Sequence, residues 1–169
     1  MLDQLVKLVE QNAGSAIINN KAIPNEQNSA AIQTVAQQIF SGLQSQAQAG
    51  NLQQLAGMFQ GGQSLSANNP IVNQLISSVA ASVASKFGIS QQAASSMASS
   101  LLPVVMNQLV KKTNDPKDNS FDLGTVMKTV SGNNSLDVTS LIGQVAGGSA
   151  KSNPLGALGS LAGKLFGKK

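Results

Sequence analysis

This sequence predicts an all-α, multi-helix globular fold, on three observations. Apolar residues recur three and four positions apart along most of the chain, no useful stretch alternates as a strand would, and Gly, Pro, Asn and Asp fall where helices begin and end. A length of 169 residues suffices for one core with a smaller region appended. The expected division is a helical domain over residues 1–113, followed over 114–169 by a loop, short repeated helices and a Lys/Gly-rich tail.

In the first segment, MLDQLVKLVEQNAG, residues Leu2, Leu5, Val6 and Val9 share one helix face, and Gly14 is placed to end the helix. After the turn at Pro24, Asn25 is a suitable N-cap for a helix whose buried stripe is Ile32, Val35, Ile39 and Leu43, with Ala36 and Phe40 beside it. Gln33, Gln37, Gln38, Gln44 and Gln48 form its polar side. Residues 50–69, rich in Gly and Gln, read as a short helix and a mobile connection.

Two longer helices follow. The first has an apolar arc of Val72, Leu75, Ile76, Val79 and Val83, opposed by Ser77, Ser78, Ala81 and Ser85. The second has Ala94, Met97, Ala98, Leu101 and Val105, opposed by Ser95, Ser96 and Ser99. Between them FGIS, residues 87–90, supplies a Gly stop and a Ser start, a turn that also suits a helix-turn-helix. Pro103 lacks an N–H and is expected to kink or restart the second helix. TNDPKDNS then marks an exposed loop.

Beyond the loop a unit repeats: an Asx cap, apolar residues at +1, +4 and +8, and Gly at +10. It occurs as Asp122, Leu123, Val126, Val130, Gly132, again as Asp137, Val138, Leu141, Val145, Gly147, and earlier as Asn51, Leu52, Leu55, Phe59, Gly61. Helices of about three turns are too short to be stable alone in water, so they are expected to dock on the helical body.

Composition excludes several chemistries. The chain has no Cys, His, Trp or Tyr, and all its basic residues are Lys. Disulfides, thiolate or imidazole metal sites, a Ser-His-Asp triad and a Cys nucleophile are therefore ruled out. Charge is unevenly spread. Between Gln27 and Val110 the only ionisable side chain is Lys86, whereas residues 151–169 carry four Lys and no acid. The net charge of +4 thus reflects the tail rather than a basic binding face.

Local motifs that resemble known sites fail on their details. In GQVAGGSAKS, residues 143–152, Gly148 is followed by Ser149 where a phosphate loop needs Lys. In DNSFDLG, residues 118–124, the Gly falls one place late for a calcium loop, and Thr129 stands where a bidentate Glu is required. Ser85 and Lys86, as sequence neighbours on a helix, point to different faces. A DNA-reading helix needs cations for phosphate, but SQQAASSMASS offers only Gln91 and Gln92 to bases, with Lys86 the one nearby cation.

The tail NPLGALGSLAGKLFGKK, wound as a helix, puts Leu155, Leu158, Leu161, Leu165 and Phe166 on one side, with Lys164 and Lys168 opposite. This is the pattern of a weak interfacial amphipathic helix, for which docking on the protein itself competes with a membrane surface or an acidic partner. The opening segment is too interrupted by charge for a secretory leader, and Gln, Asn and Ser interrupt every candidate span. A soluble cytoplasmic protein is expected, with leaderless export left open.

Three segments, MLDQLVKLVEQNAG, IPNEQNSAAIQTVAQQIFSGLQ and KFGISQQAASSMASSLLPVVMNQL, resemble the YidB-like bacterial family, a domain of unknown function, as do the Leu/Gly units after Asp122. The resemblance implies an all-helical fold with a homeodomain-like helical corner, and no reaction, cofactor or catalytic residue. The expected function is a non-enzymatic interaction or self-assembly protein, a homo-oligomeric structural subunit that needs no cofactor, metal or small-molecule substrate. Its packing residues are expected to be Ser77, Ala81, Ser85, Ser95 and Ser99, with Leu158, Leu161, Lys164, Leu165, Phe166 and Lys168 available for tail contacts. The expected partner is a second copy or another helical protein. The alternatives are a nucleic-acid-binding helix-turn-helix, disfavoured by the missing cations, and a membrane surface reached through the tail.

Overall fold

The computed structural model describes residues 1–61, 65–118 and 121–132. Among these the chain is all-α, with no strand. Its elements are α1 (Leu2–Asn12), a π-helical turn (Gly14–Ile18), a 3-10 turn (Asn25–Gln27), α2 (Asn28–Gln48), α3 (Leu52–Phe59), α4 (Pro70–Phe87), α5 (Gln91–Thr113) and α6 (Leu123–Ser131).

Helix α1 buries Leu5, Leu8 and Val9, leaving Leu2 and Val6 partly covered at its edge. Gly14 does not stop it in a left-handed turn, as its position suggested. The chain winds on through a wider turn instead, in which the N–H groups of Ile18 and Asn19 donate to the carbonyls of Ala13 and Gly14 at 3.1 and 2.8 Å. The reason is burial: Ala13, Ala16 and Ile17 all lie in the core, and continued winding keeps them there.

Asn25 likewise does not cap α2. It opens the 3-10 turn, and α2 begins three residues later with no side-chain cap bond. The expected stripe of Ile32, Val35, Ala36, Ile39 and Leu43 is buried. Helix α2 is central, packing against α1, α3, α4 and α6, while α5 packs against α4, α1 and α3. Gly42 lies where α2 meets α4, and a Cβ there would collide with the Leu75 side chain. Even one methyl group would therefore force a core adjustment.

Helix α4 has a strong start. Asn69 Oδ1 accepts from the N–H groups of Ile71 and Val72 at 3.0 and 3.4 Å, and Pro70 occupies the first turn, where its missing N–H costs nothing. Gly88, at φ 66°, closes α4, and Ser90 Oγ accepts from the Ala93 N–H at 3.2 Å to open α5. Pro103 does not restart α5, which is helical from Gln91 to Thr113. The carbonyl that loses its donor belongs to Ser99, an exposed residue, so the missing bond falls on the solvent side.

Both described copies of the repeated unit dock on the body. Leu55 and Phe59 of α3, and Val126 and Val130 of α6, are buried in the same core as the long helices. The α6 copy follows its template closely: Asp122 Oδ2 accepts from the Thr125 N–H at 2.9 Å, and Gly132 ends the helix at φ 68°. In the α3 copy the Asn51 amide donates to Gln46 Oε1 at 2.7 Å instead of capping. The copy at Asp137 lies outside the described residues.

Candidate interaction surface

On α4 and α5 the expected arcs point inward. Val72, Leu75, Ile76, Val79 and Val83 are buried, as are Ala94, Met97, Ala98, Leu101 and Val105. The opposing residues are left outside: Ser77, Ala81, Ser85 and Ser99 are exposed, and Ser95 is half-buried. Ser95 and Ser99 share a helical row with Leu102, Met106 and Val110, which are buried farther along α5. The row is thus covered at one end and open at the other, and the side chains change from large and apolar to Ser where it opens. The structure places the five residues on two helices that pack against each other, on surfaces turned away from the core.

The polar atoms on this surface are largely satisfied from within. Ser77 Oγ donates to the Asn73 carbonyl at 3.1 Å, and Ser100 Oγ to the Ser96 carbonyl at 2.9 Å. A hydroxyl folded onto its own helix needs no water, so covering it costs less than covering a free one. At the start of α4, Gln74 Oε1 accepts from Gln46 Nε2 at 2.6 Å, which joins α4 to the end of α2.

The single cation of the region is turned aside. Lys86 Nζ donates to Thr34 Oγ1 at 3.0 Å and sits 5.9 Å from the centre of the Phe87 ring. Thr34 is buried on α2, and its hydroxyl also donates to the Ala30 carbonyl at 2.7 Å. Ser85 is exposed, and its neighbour Lys86 is occupied with Thr34.

The acids near the loop have local structural roles. Asp118 pairs with Lys112 at 2.8 Å, and Asp122 caps α6. Among the described residues no three His, Cys, Asp or Glu side chains gather where they could hold a metal ion. Nor is any described helix long and apolar enough to cross a membrane. The tail residues Leu158, Leu161, Lys164, Leu165, Phe166 and Lys168 lie outside the described residues, as does the phosphate-loop look-alike at 143–152.

Several contacts were not readable from local pattern. Asn114 Nδ2 donates to the carbonyls of Phe59 and Val110 at 2.6 and 2.8 Å, tying the end of α3 to the end of α5. The Asn69 cap did have a local signal, an Asn-Pro pair directly before an apolar run.

No curated protein and no solved structure matches the chain. A family model does, over residues 69–169, beginning at the cap of α4 and taking in both helices of the corner, the loop and everything after it. Of the three segments that carried the resemblance, the match includes the third and leaves out the first two. The chain therefore belongs to DUF937, a bacterial protein family of unknown function.

Proposed function

We propose that this chain is a non-enzymatic helical interaction protein that assembles with further copies of itself through the outer faces of α4 and α5. The observation that carries this reading is the outer side of α4 from Ser77 to Ser85. Over that stretch Ser77, Ala81 and Ser85 are exposed, short and uncharged, while the one cation nearby is bonded to Thr34. Helices bearing small residues four apart can approach closely, and a surface without charge lacks the repulsion that keeps helical domains apart. The reading involves no reaction, cofactor or small-molecule substrate.

The test is sedimentation velocity of the full chain across a wide concentration range, alone and with Ala81→Leu or Ser99→Leu. Self-association that either bulky residue weakens supports the proposal. A monomer at every concentration, unchanged by both substitutions, would refute it.

A second reading, nucleic-acid binding, is favoured by one feature, the Gly88 and Ser90 corner with its two well-formed helices. Phosphate contacts supply most of the affinity in such modules, and α5 brings cations only at its far end, at Lys111 and Lys112. We expect any duplex binding to be weak, salt-sensitive and dependent on the Lys-rich tail. Sequence-specific protection that survives loss of residues 151–169 would reverse the order of the two readings.

A further inference from the structure

One groove on the described surface joins an apolar floor to acidic walls. It lies between α1 and α2 and has a volume of about 510 Å³, with Leu2, Asp3, Val6 and Glu10 on one side and Gln33 and Gln37 on the other. Leu2 and Val6 are only partly buried, although they pack against the core, and Asp3 and Glu10 are exposed. Lys7 also lines the groove and offsets one of the two acids. The other acid-lined hollow, around Asp115, Asp118 and Asp122, has Pro116 as its sole apolar lining residue.

Residues 151–169 have the complementary chemistry, with Leu155, Leu158, Leu161, Leu165 and Phe166 among four lysines and no acid. They also have the reach. The described part of the chain ends at Gly132, and residues 133–150 can span up to roughly 60 Å when extended. The groove has room for a few side chains rather than for a whole helix, so contact would come from one or two leucines.

We propose that the Lys-rich end of the chain docks on its own α1–α2 groove, placing leucine side chains against Leu2 and Val6 and lysines beside Asp3 and Glu10. Apolar burial supplies the attraction, and charge sets the orientation and makes it salt-sensitive. The proposal is independent of the self-assembly reading, because the groove lies on α1 and α2 and the assembly faces on α4 and α5.

The chain has no Cys, which allows a clean test in the full-length protein. A nitroxide is attached at Ser160→Cys, and its broadening of assigned methyl signals is read by NMR against a diamagnetic control. Selective loss of Leu2 and Val6 methyl intensity is expected, with Val83 unaffected. Adding Leu161→Asp and Leu165→Asp should restore the lost intensity, and raising the salt should restore part of it. Uniform or absent broadening would overturn the proposal. So would broadening that appears only when isotope-labelled chains are mixed with separate nitroxide-bearing chains, which assigns the groove to a second copy. The same holds if the tail makes no groove contact and binds vesicles of anionic lipid instead, which assigns the tail to a membrane surface.

Discussion

The α4–α5 corner and the α1–α2 connection each combine a glycine at a helix end with a polar residue ahead of the next helix, yet the chain uses them in opposite ways. At the corner, Gly88 turns left-handed and Ser90 caps α5. In the other connection the chain winds past Gly14 into a π-helical turn, and Asn25 caps nothing. The difference lies in the residues just downstream of each glycine. After Gly14 come Ala16 and Ile17, both buried, whereas after Gly88 come Ile89, half-buried, and Ser90, exposed. A glycine permits a stop, and downstream burial decides whether the stop is made.

This contrast can be broken most directly at Ile17, which is 0% exposed. If its burial holds the π-helical turn in place, Ile17→Ala should cost about 2–5 kcal/mol, read as a fall in the urea midpoint. A loss well below that range would mean that the turn is held by something else.

The glycines give the next effect. Gly88→Ala leaves the new methyl in open space but demands a left-handed backbone, at roughly 1–2 kcal/mol. Gly14 also has open space and no positive φ, so Gly14→Ala should be neutral or stabilising by up to about 1 kcal/mol through the unfolded chain. Paired denaturation curves check the sign of each change. Equal losses at both positions would erase the distinction between the two helix ends.

The caps should differ by the smallest margin. Ser90→Ala removes a bond to the Ala93 N–H and should cost about 1 kcal/mol, while Asn25→Ala, with no cap bond to lose, should change stability by only a few tenths. A larger loss at Asn25 than at Ser90 would show that the 3-10 turn matters more than its exposed position suggests.

The same logic explains what could be read in advance. The arcs of α4 and α5 were legible because each buried side chain repeats at helical spacing, and the Asp122 to Gly132 unit because its cap and stop are local. The Gly14 stop, the Asn25 cap and the Pro103 break were misread for one reason: each was judged from its neighbours in sequence, while burial of Ala16 and Ile17, or exposure of Ser99, decided the outcome. The polar ties left no sequence pattern at all. Gln46 meets Gln74, Lys86 meets Thr34 and Asn114 meets Phe59 across long separations that only the fold closes. On the candidate surface, sequence identified the outward Ser and Ala residues, but not that Lys86 is drawn away to Thr34 or that the Ser77 hydroxyl is satisfied by its own helix.

The central claim is that the outer faces of α4 and α5 are packing surfaces rather than weakly polar surfaces in contact with water. Ala81 tests it most directly, because it is exposed, sits midway along the uncharged stripe of α4 and has no side-chain hydrogen bond to lose. Sedimentation velocity of Ala81→Lys should be compared with the unsubstituted full chain over the same concentration range. The account predicts that the substituted chain folds with an unchanged urea midpoint at low concentration but loses self-association, because a lysine between close helices is poorly hydrated. An association profile identical to that of the unsubstituted chain would contradict it.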